Sequence, residues 1–340
     1  MRNWIRKIIP AVTVAGGLAA AATAPGAGAE ILNVSDDVTR GFYQDYNRAF
    51  ANYWKAKTGD TVTVNQSQGG SNGPAASLIN VAQADVVTLN RALDIDTLHA
   101  DGRLLPGNWA ARLPNKSVPF TSTIVFVVRN GNPKDIRNWD DLVRSNISVV
   151  IPNPKTTEEG RYSYLAAWGQ ALKKSAGDAG QAREFVRELL AHMPLLTTER
   201  GATKGFAYRG IGDVLLTFEN KAALIQKQYP DARLQVVLPP ESILVEYPVA
   251  WLDYNVGRHH TQAVSRAYLE YLYSDAGQEL AAQHFFRPKS EAVLARYSPR
   301  YKPLDLFTAQ EIAGGWASAQ QVHFADGGIF DQIYKPHKKL

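Results

Sequence analysis

The stretch Ile147-Ser148-Val149-Val150-Ile151-Pro152-Asn153-Pro154-Lys155-Thr156-Thr157-Glu158-Glu159-Gly160-Arg161 carries the pattern that decides the fold. A short apolar, β-branched run reads as a buried strand, the proline- and threonine-rich segment after it as a loop, and the residues from about Arg161 to Leu172 as a helix. The same order opens the chain beyond its leader. Ile31-Leu32-Asn33-Val34 is strand-like, Ser35-Asp36-Asp37 is a loop and helix-cap cluster, and an amphipathic helix carrying Phe42, Tyr46, Phe50 and Tyr53 runs through Trp54. It recurs once more: Thr61-Val62-Thr63-Val64 alternates as a half-buried strand, and Gly69-Gly70-Ser71-Asn72-Gly73-Pro74 opens a second helix with Pro74 suited to its first turn. Residues 84–89 supply another strand. Strands alternating with helices predict an α/β fold with largely parallel sheets.

Two segments read as crossovers. Residues 121–128 form a continuous run rich in β-branched residues and end in the turn-rich Arg129-Asn130-Gly131-Asn132-Pro133, while 234–238 leads through Pro239-Pro240 toward Tyr247-Pro248-Val249-Ala250-Trp251. With a length of 340 residues, more than one core usually organises, two lobes follow: 30–127 together with 244–340, and 128–243 between them. The remainder reads as helical over 262–273, 275–284 and 308–320.

Composition narrows the function classes. The chain has no cysteine, which removes disulfides, thiolate metal sites and cysteine nucleophiles. Hydrophobic residues at 45% and charged residues at 20% describe a globular chain rather than a disordered one. The formal charge of +5 is concentrated at the amino end, where Arg2, Arg6 and Lys7 precede an apolar stretch from Ile8 to Ala24 and the small-x-small sequence Ala27-Gly28-Ala29. This reads as a secretory signal peptide cleaved after Ala29, with a membrane anchor as the alternative. Cleavage leaves 34 basic against 32 acidic residues and takes away most of the support for a nucleic-acid partner. The tryptophans at 54, 109, 139, 168, 251 and 316 read as core packing.

Two kinds of chemistry fit the loop after residues 61–64. Gly69-Gly70-Ser71-Asn72-Gly73 matches the G-x-S-x-G nucleophile elbow, with His259, His260 or His284 as partners in a serine hydrolase. Against this, the preceding strand lacks the apolar run of a central strand and comes early in the chain. The other reading needs no catalysis. A helix start leaves backbone N–H groups unpaired and carries partial positive charge, so loops at 35–39, 69–74, 156–160 and 199–203 are ready anion sites, distributed over two lobes that would close on a small anion. No metal-binding or dinucleotide motif accompanies them, and no cofactor is expected.

The residues then carry a resemblance. Lys55-Ala56-Lys57-Thr58-Gly59-Asp60 with Thr61 through Ser67 is similar to the first signature of the prokaryotic sulfate-binding protein family, the periplasmic receptors of sulfate and thiosulfate ABC importers. Asn153-Pro154-Lys155, the segment 164–169, Arg209 to Leu215 and Gly314-Gly315-Trp316-Ala317 continue it in one register. The resemblance implies a type II periplasmic-binding fold: two α/β lobes, each a mainly parallel sheet flanked by helices, joined by hinge strands. It implies a non-enzymatic monomer that hands its oxyanion to a membrane permease. The implied ligand contacts are the N–H of Asp37, the hydroxyls of Ser71 and Thr157, the N–H groups of Glu158, Glu159 and Glu199, and the side chain at Phe218.

Several of these positions depart from the family, Thr157 among them. Glu158-Glu159 stands where the family has Gly-Gly, and Phe218, which donates nothing, stands where it has an indole donor. A carboxylate about 4 Å from a dianion costs roughly 8 kcal/mol at an effective dielectric of about 20. Either both glutamates turn to solvent while their N–H groups serve the anion, or the ligand carries a proton or an amine that an inward carboxylate accepts. A receptor-like protein that has lost transport and binds another partner is the remaining reading.

Overall fold

A computed structural model of the chain describes residues 28–69, 81–100 and 102–335. The expected leader over 1–29 falls almost wholly outside the described residues, as do Ser71 and the predicted helix beginning at Pro74. Among the described residues no helix is long and apolar enough to cross a membrane. Contacts divide the chain into two units: residues 1–120, 247–284 and 288–296 form unit 1, and residues 121–246, 285–287 and 297–340 form unit 2.

Unit 1 is built on a four-stranded sheet of β1 (Ala29–Asp36), β2 (Val62–Gly69), β3 (Val86–Thr88) and β9 (Val249–Trp251), in the order β2-β1-β3-β9. The first three are parallel, with Ala29 opposite Val62 and Ser35 opposite Thr88, so their carboxyl ends lie on one edge. β9 runs antiparallel to β3. Val34 and Val87 pack with Ile95, Leu98, Leu105, Trp109 and Leu252 in one core cluster. Between β1 and β2 the helix Arg40–Thr58 buries Phe42, Tyr43, Tyr46 and Phe50 and ends at Gly59, whose φ of 82° lets its N–H return to Lys55 O at 2.9 Å. The sequence's 3.6-residue aromatic spacing thus becomes a buried face.

Unit 2 is mixed rather than mainly parallel. β4 (Phe120–Val128) is buried along its whole length and pairs antiparallel with β6 (Val214–Phe218), β7 (Gln235–Val237) and β8 (Glu241–Glu246). β5 (Val149–Val150) lies parallel to β6, and the strand Asp305–Phe307 lies parallel to β8. Val125, Val127, Val150 and Leu215 share a core with Ala202, Phe206 and Ile225.

Two expectations change here. The units divide at 120/121 and 246/247, and residues 297–340 belong to unit 2, whereas the sequence pattern placed 244–340 in lobe I. Side chains explain the difference: Lys173 bonds Asp305 at 3.0 Å, the Tyr162 and Trp316 rings meet at 4.6 Å, and Tyr164 meets His323 Nδ1 at 3.1 Å. The helix expected over 308–320 is broken, because Gly314 and Gly315 take φ values of 68° and 97°, which separates Ala309–Ala313 from Trp316–Ala319.

Candidate functional site

Each unit sends helix starts out from the carboxyl edge of its parallel strands, the edge where open α/β sheets bind ligands. In unit 1, β1 ends at Asp36 and passes through the single turn Asp37–Thr39 into the helix Arg40–Thr58. Thr39 donates its hydroxyl to Asp36 O at 2.7 Å, which tightens the turn. The Asp37 carboxylate points away into solvent, 56% exposed, and accepts Arg40 Nε at 3.0 Å. Beside it, the Tyr43 hydroxyl meets Thr88 at the end of β3, and burial holds its phenol far above the usual range, so it stays protonated. Ser71 lies outside the described residues.

Unit 2 brings three helix starts together. The loop after β5 leads to Thr157, the N-cap of Glu158–Lys174; Asn153 N–H donates to Thr197 O at 2.8 Å and ties this loop to the one before the helix Glu199–Ala207; and β6 ends at Phe218, the N-cap residue of Glu219–Gln228. Every one of these helices has glutamate in its first turn, the placement a helix dipole favours.

The side chains sort themselves by distance along the chain. Glu158 pairs with Arg161, one turn further on. Glu219 pairs with Arg287 through two bonds of 2.6 and 2.9 Å, both side chains 11% exposed. Glu159 is fully buried, and its carboxylate meets Lys221 Nζ. Glu199 accepts the Glu159 backbone N–H on Oε1 at 3.2 Å and lies 3.5 Å from Lys221 through Oε2. One ammonium therefore serves two carboxylates. Burial pushes the Glu159 carboxyl up to about 7 from the usual carboxylate range; Lys221 opposes that rise and Glu199 adds to it. Burial would lower Lys221, but the two carboxylates outweigh it, so it is held charged.

Of the two alternatives for Glu158 and Glu159, the one in which both side chains turn to solvent does not hold. Glu158 turns to Arg161, and Glu159 turns inward because Lys221, 62 residues further along the chain, supplies a buried counter-charge. Thr157 caps its helix from both sides, since its hydroxyl donates to Asn153 O at 2.8 Å and accepts Gly160 N–H at 3.1 Å, which uses its one proton. Phe218 is 1% exposed with its ring edge-on to Tyr162 at 5.6 Å. Lys221 is absent from the residues the sequence pattern singles out. Its signal was a basic residue in a first helical turn, three residues after Phe218, where the dipole disfavours a cation unless carboxylates surround it.

Two of the three histidines considered for a hydrolase are engaged in unit 1: His259 Nδ1 with Asp85 at 3.0 Å and His284 Nε2 with Asp45 at 2.8 Å. Among the described residues no group of three or more acidic or imidazole side chains is arranged to hold a metal ion.

An open α/β sheet in each unit, with helix starts at the carboxyl edge of its parallel strands, is the architecture of the type II periplasmic-binding fold. Residues 38–287 match the family model described as bacterial extracellular solute-binding protein, and the chain belongs to that family. It is 46% identical over 334 residues to a thiosulfate-binding protein of Pseudomonas aeruginosa, covering 98% of this chain and all of that one. It is 48% identical over 307 residues to a sulfate-binding protein of Salmonella typhimurium, covering 90% and 93% of the two chains. Among solved structures, the sulfate-binding protein SubI of Mycobacterium tuberculosis superposes with a TM-score of 0.73 at 30% identity, over 86% of this chain and 98% of that one. The type II periplasmic-binding fold expected from the resemblance is the fold these proteins share.

Proposed function

We propose that this protein is a periplasmic receptor that captures sulfate or thiosulfate and delivers it, as a monomer, to the permease of an ABC importer. The observation that carries this reading is likeness at 46–48% identity over 90% or more of the chain to proteins named for thiosulfate and sulfate binding. The protein acts by binding, with no catalytic step. Its leader is removed after Ala29, so that β1 begins with a free amino terminus at Glu30.

The ligand is held by donors alone, since a fully ionised oxyanion has nothing to give. The donors are the Asp37 N–H, the Ser71 hydroxyl and the N–H groups of Glu158, Glu159 and Glu199. Thr157 holds the start of its helix in place, and Phe218 gives an apolar wall in place of a donor. Losing that donor weakens the anion by about 1.5–3 kcal/mol.

Thermal unfolding of the mature chain with sulfate, thiosulfate, phosphate, molybdate and amino-sulfonates tests the reading. At about 100 times Kd the right ligand adds about 2.7 kcal/mol, which raises Tm by roughly 4 °C for a chain of this length. Sulfate or thiosulfate is expected to do so. Stabilisation by none of the oxyanions, or turnover of a chromogenic ester that disappears in Ser71→Ala, overturns the proposal.

A further inference from the structure

We infer that Glu199 is a tethered competitor for the anion seat of unit 2: its carboxylate occupies the Glu159 N–H at the start of the helix Glu158–Lys174, and a ligand oxygen that uses this donor must replace it. This deepens the function proposed above and rests on it. The 3.2 Å bond from Glu159 N–H to Glu199 Oε1 puts an anion on a helix N-terminus, as a bound oxyanion would be. The competitor is held but not locked. Lys221 Nζ lies 3.5 Å from the other oxygen, while the side chain is 37% exposed and has room to swing out.

The surroundings give the competition its size. Glu159, Glu199 and Lys221 together carry a net charge of −1 when all are ionised, and Thr217 also faces Glu159. The nearby ions Glu158 with Arg161 and Glu219 with Arg287 are each neutralised within their own pair. A dianion entering this seat therefore displaces one carboxylate and remains beside another. Removing the Glu199 charge leaves Glu159 and Lys221 as a neutral pair and frees the N–H. Affinity for the dianion then rises by about 10-fold or more, the scale of one hydrogen bond to a charged group.

Titration calorimetry of the mature chain with sodium sulfate and sodium thiosulfate tests this in the wild type, Glu199→Ala and Glu199→Gln. Glu199→Ala is expected to bind at least one of the two about 10-fold tighter. Glu199→Gln keeps an amide oxygen as acceptor without the charge and falls between. Wild-type affinity should also rise as pH falls from 8 to 6, where the buried Glu159 carboxyl takes a proton; Glu199 adds to the burial that holds this carboxyl up, so the rise should shrink in Glu199→Ala. Equal or weaker binding by both variants, when the wild type binds, overturns the competitor role and leaves the receptor function intact. If Glu199→Ala fails to fold by its melting curve, Glu199→Gln decides on the same criterion. Failure of all three proteins to bind either anion removes the receptor reading and this inference together.

Discussion

Asp37 in unit 1 and Glu159 in unit 2 are both acids in the first turn of a helical segment that leaves a parallel strand. Asp37 is 56% exposed and pairs three residues along the chain with Arg40, whereas Glu159 is fully buried with partners 40 and 62 residues away. The first arrangement is written in the local sequence and contributes little, because solvent screens it. The second requires three helices to arrive at one point, and its charges carry a desolvation cost that only their mutual pairing offsets. One position in the sequence pattern therefore has two physical meanings.

Substitutions can break that contrast, and their expected effects fall in order. Lys221→Met leaves Glu159 buried without its cation and should cost about 3–5 kcal/mol at pH 8, measured by urea unfolding. At pH 5, where Glu159 takes a proton, the loss should shrink. An equal loss at both pH values would mean that the pair is not the source.

Gly160→Ala should cost about 1–3 kcal/mol by overpacking, since a Cβ there would lie 2.4 Å from Pro152 O and 2.6 Å from Thr157 Oγ1. An unchanged melting curve would show that this loop yields more easily than the packing implies.

The raised Glu159 carboxyl gives a pH signature. Its folded value of about 7 stands above its unfolded value near 4.5, so the folded chain binds the proton more tightly. Stability present at low pH is lost as pH rises through this window and is constant above it. Buried His323 has the opposite sign: burial lowers it from 6.5 to about 4, so its contribution is complete above 6.5 and is lost as pH falls toward 4. Glu159→Gln should therefore remove a decline on the order of 1–3 kcal/mol between pH 4.5 and 7, visible as the difference between its Tm profile and that of the wild type. Parallel profiles would refute the assignment.

Thr157→Ala removes the cap of Glu158–Lys174 and should cost about 1 kcal/mol in the same unfolding experiment. Asp37→Asn, the counterpart in unit 1, should change stability by less than about 0.5 kcal/mol. A larger effect would erase the contrast between the two helix starts.

Much of the fold was legible. The strands around Ile31, Val62, Val125 and Val149 and the helix with Phe42, Tyr46 and Phe50 follow from short apolar or alternating runs and from a 3.6-residue spacing, which depend on near neighbours alone. The loop-to-helix position of Thr157 is also local. The divided helix after Thr308 was less legible, because helical propensity competes there with two glycines that take left-handed backbone angles. The place of residues 297–340 was not legible at all, since the partners of Asp305, Trp316 and His323 lie on the helix Glu158–Lys174, far back in the chain.

The sequence by itself determined the α/β alternation, the helix starts at the strands' carboxyl ends and, through its resemblance, the class of receptor. These rest on interactions within a few residues or on a pattern spread along the whole chain. Only the tertiary structure decided where the carboxylates of the site point. Charge, unlike periodicity, is read in three dimensions: Glu158 and Glu159 are adjacent and chemically identical, yet Glu158 pairs with Arg161 on its own helix while Lys221, 62 residues further on, draws Glu159 in.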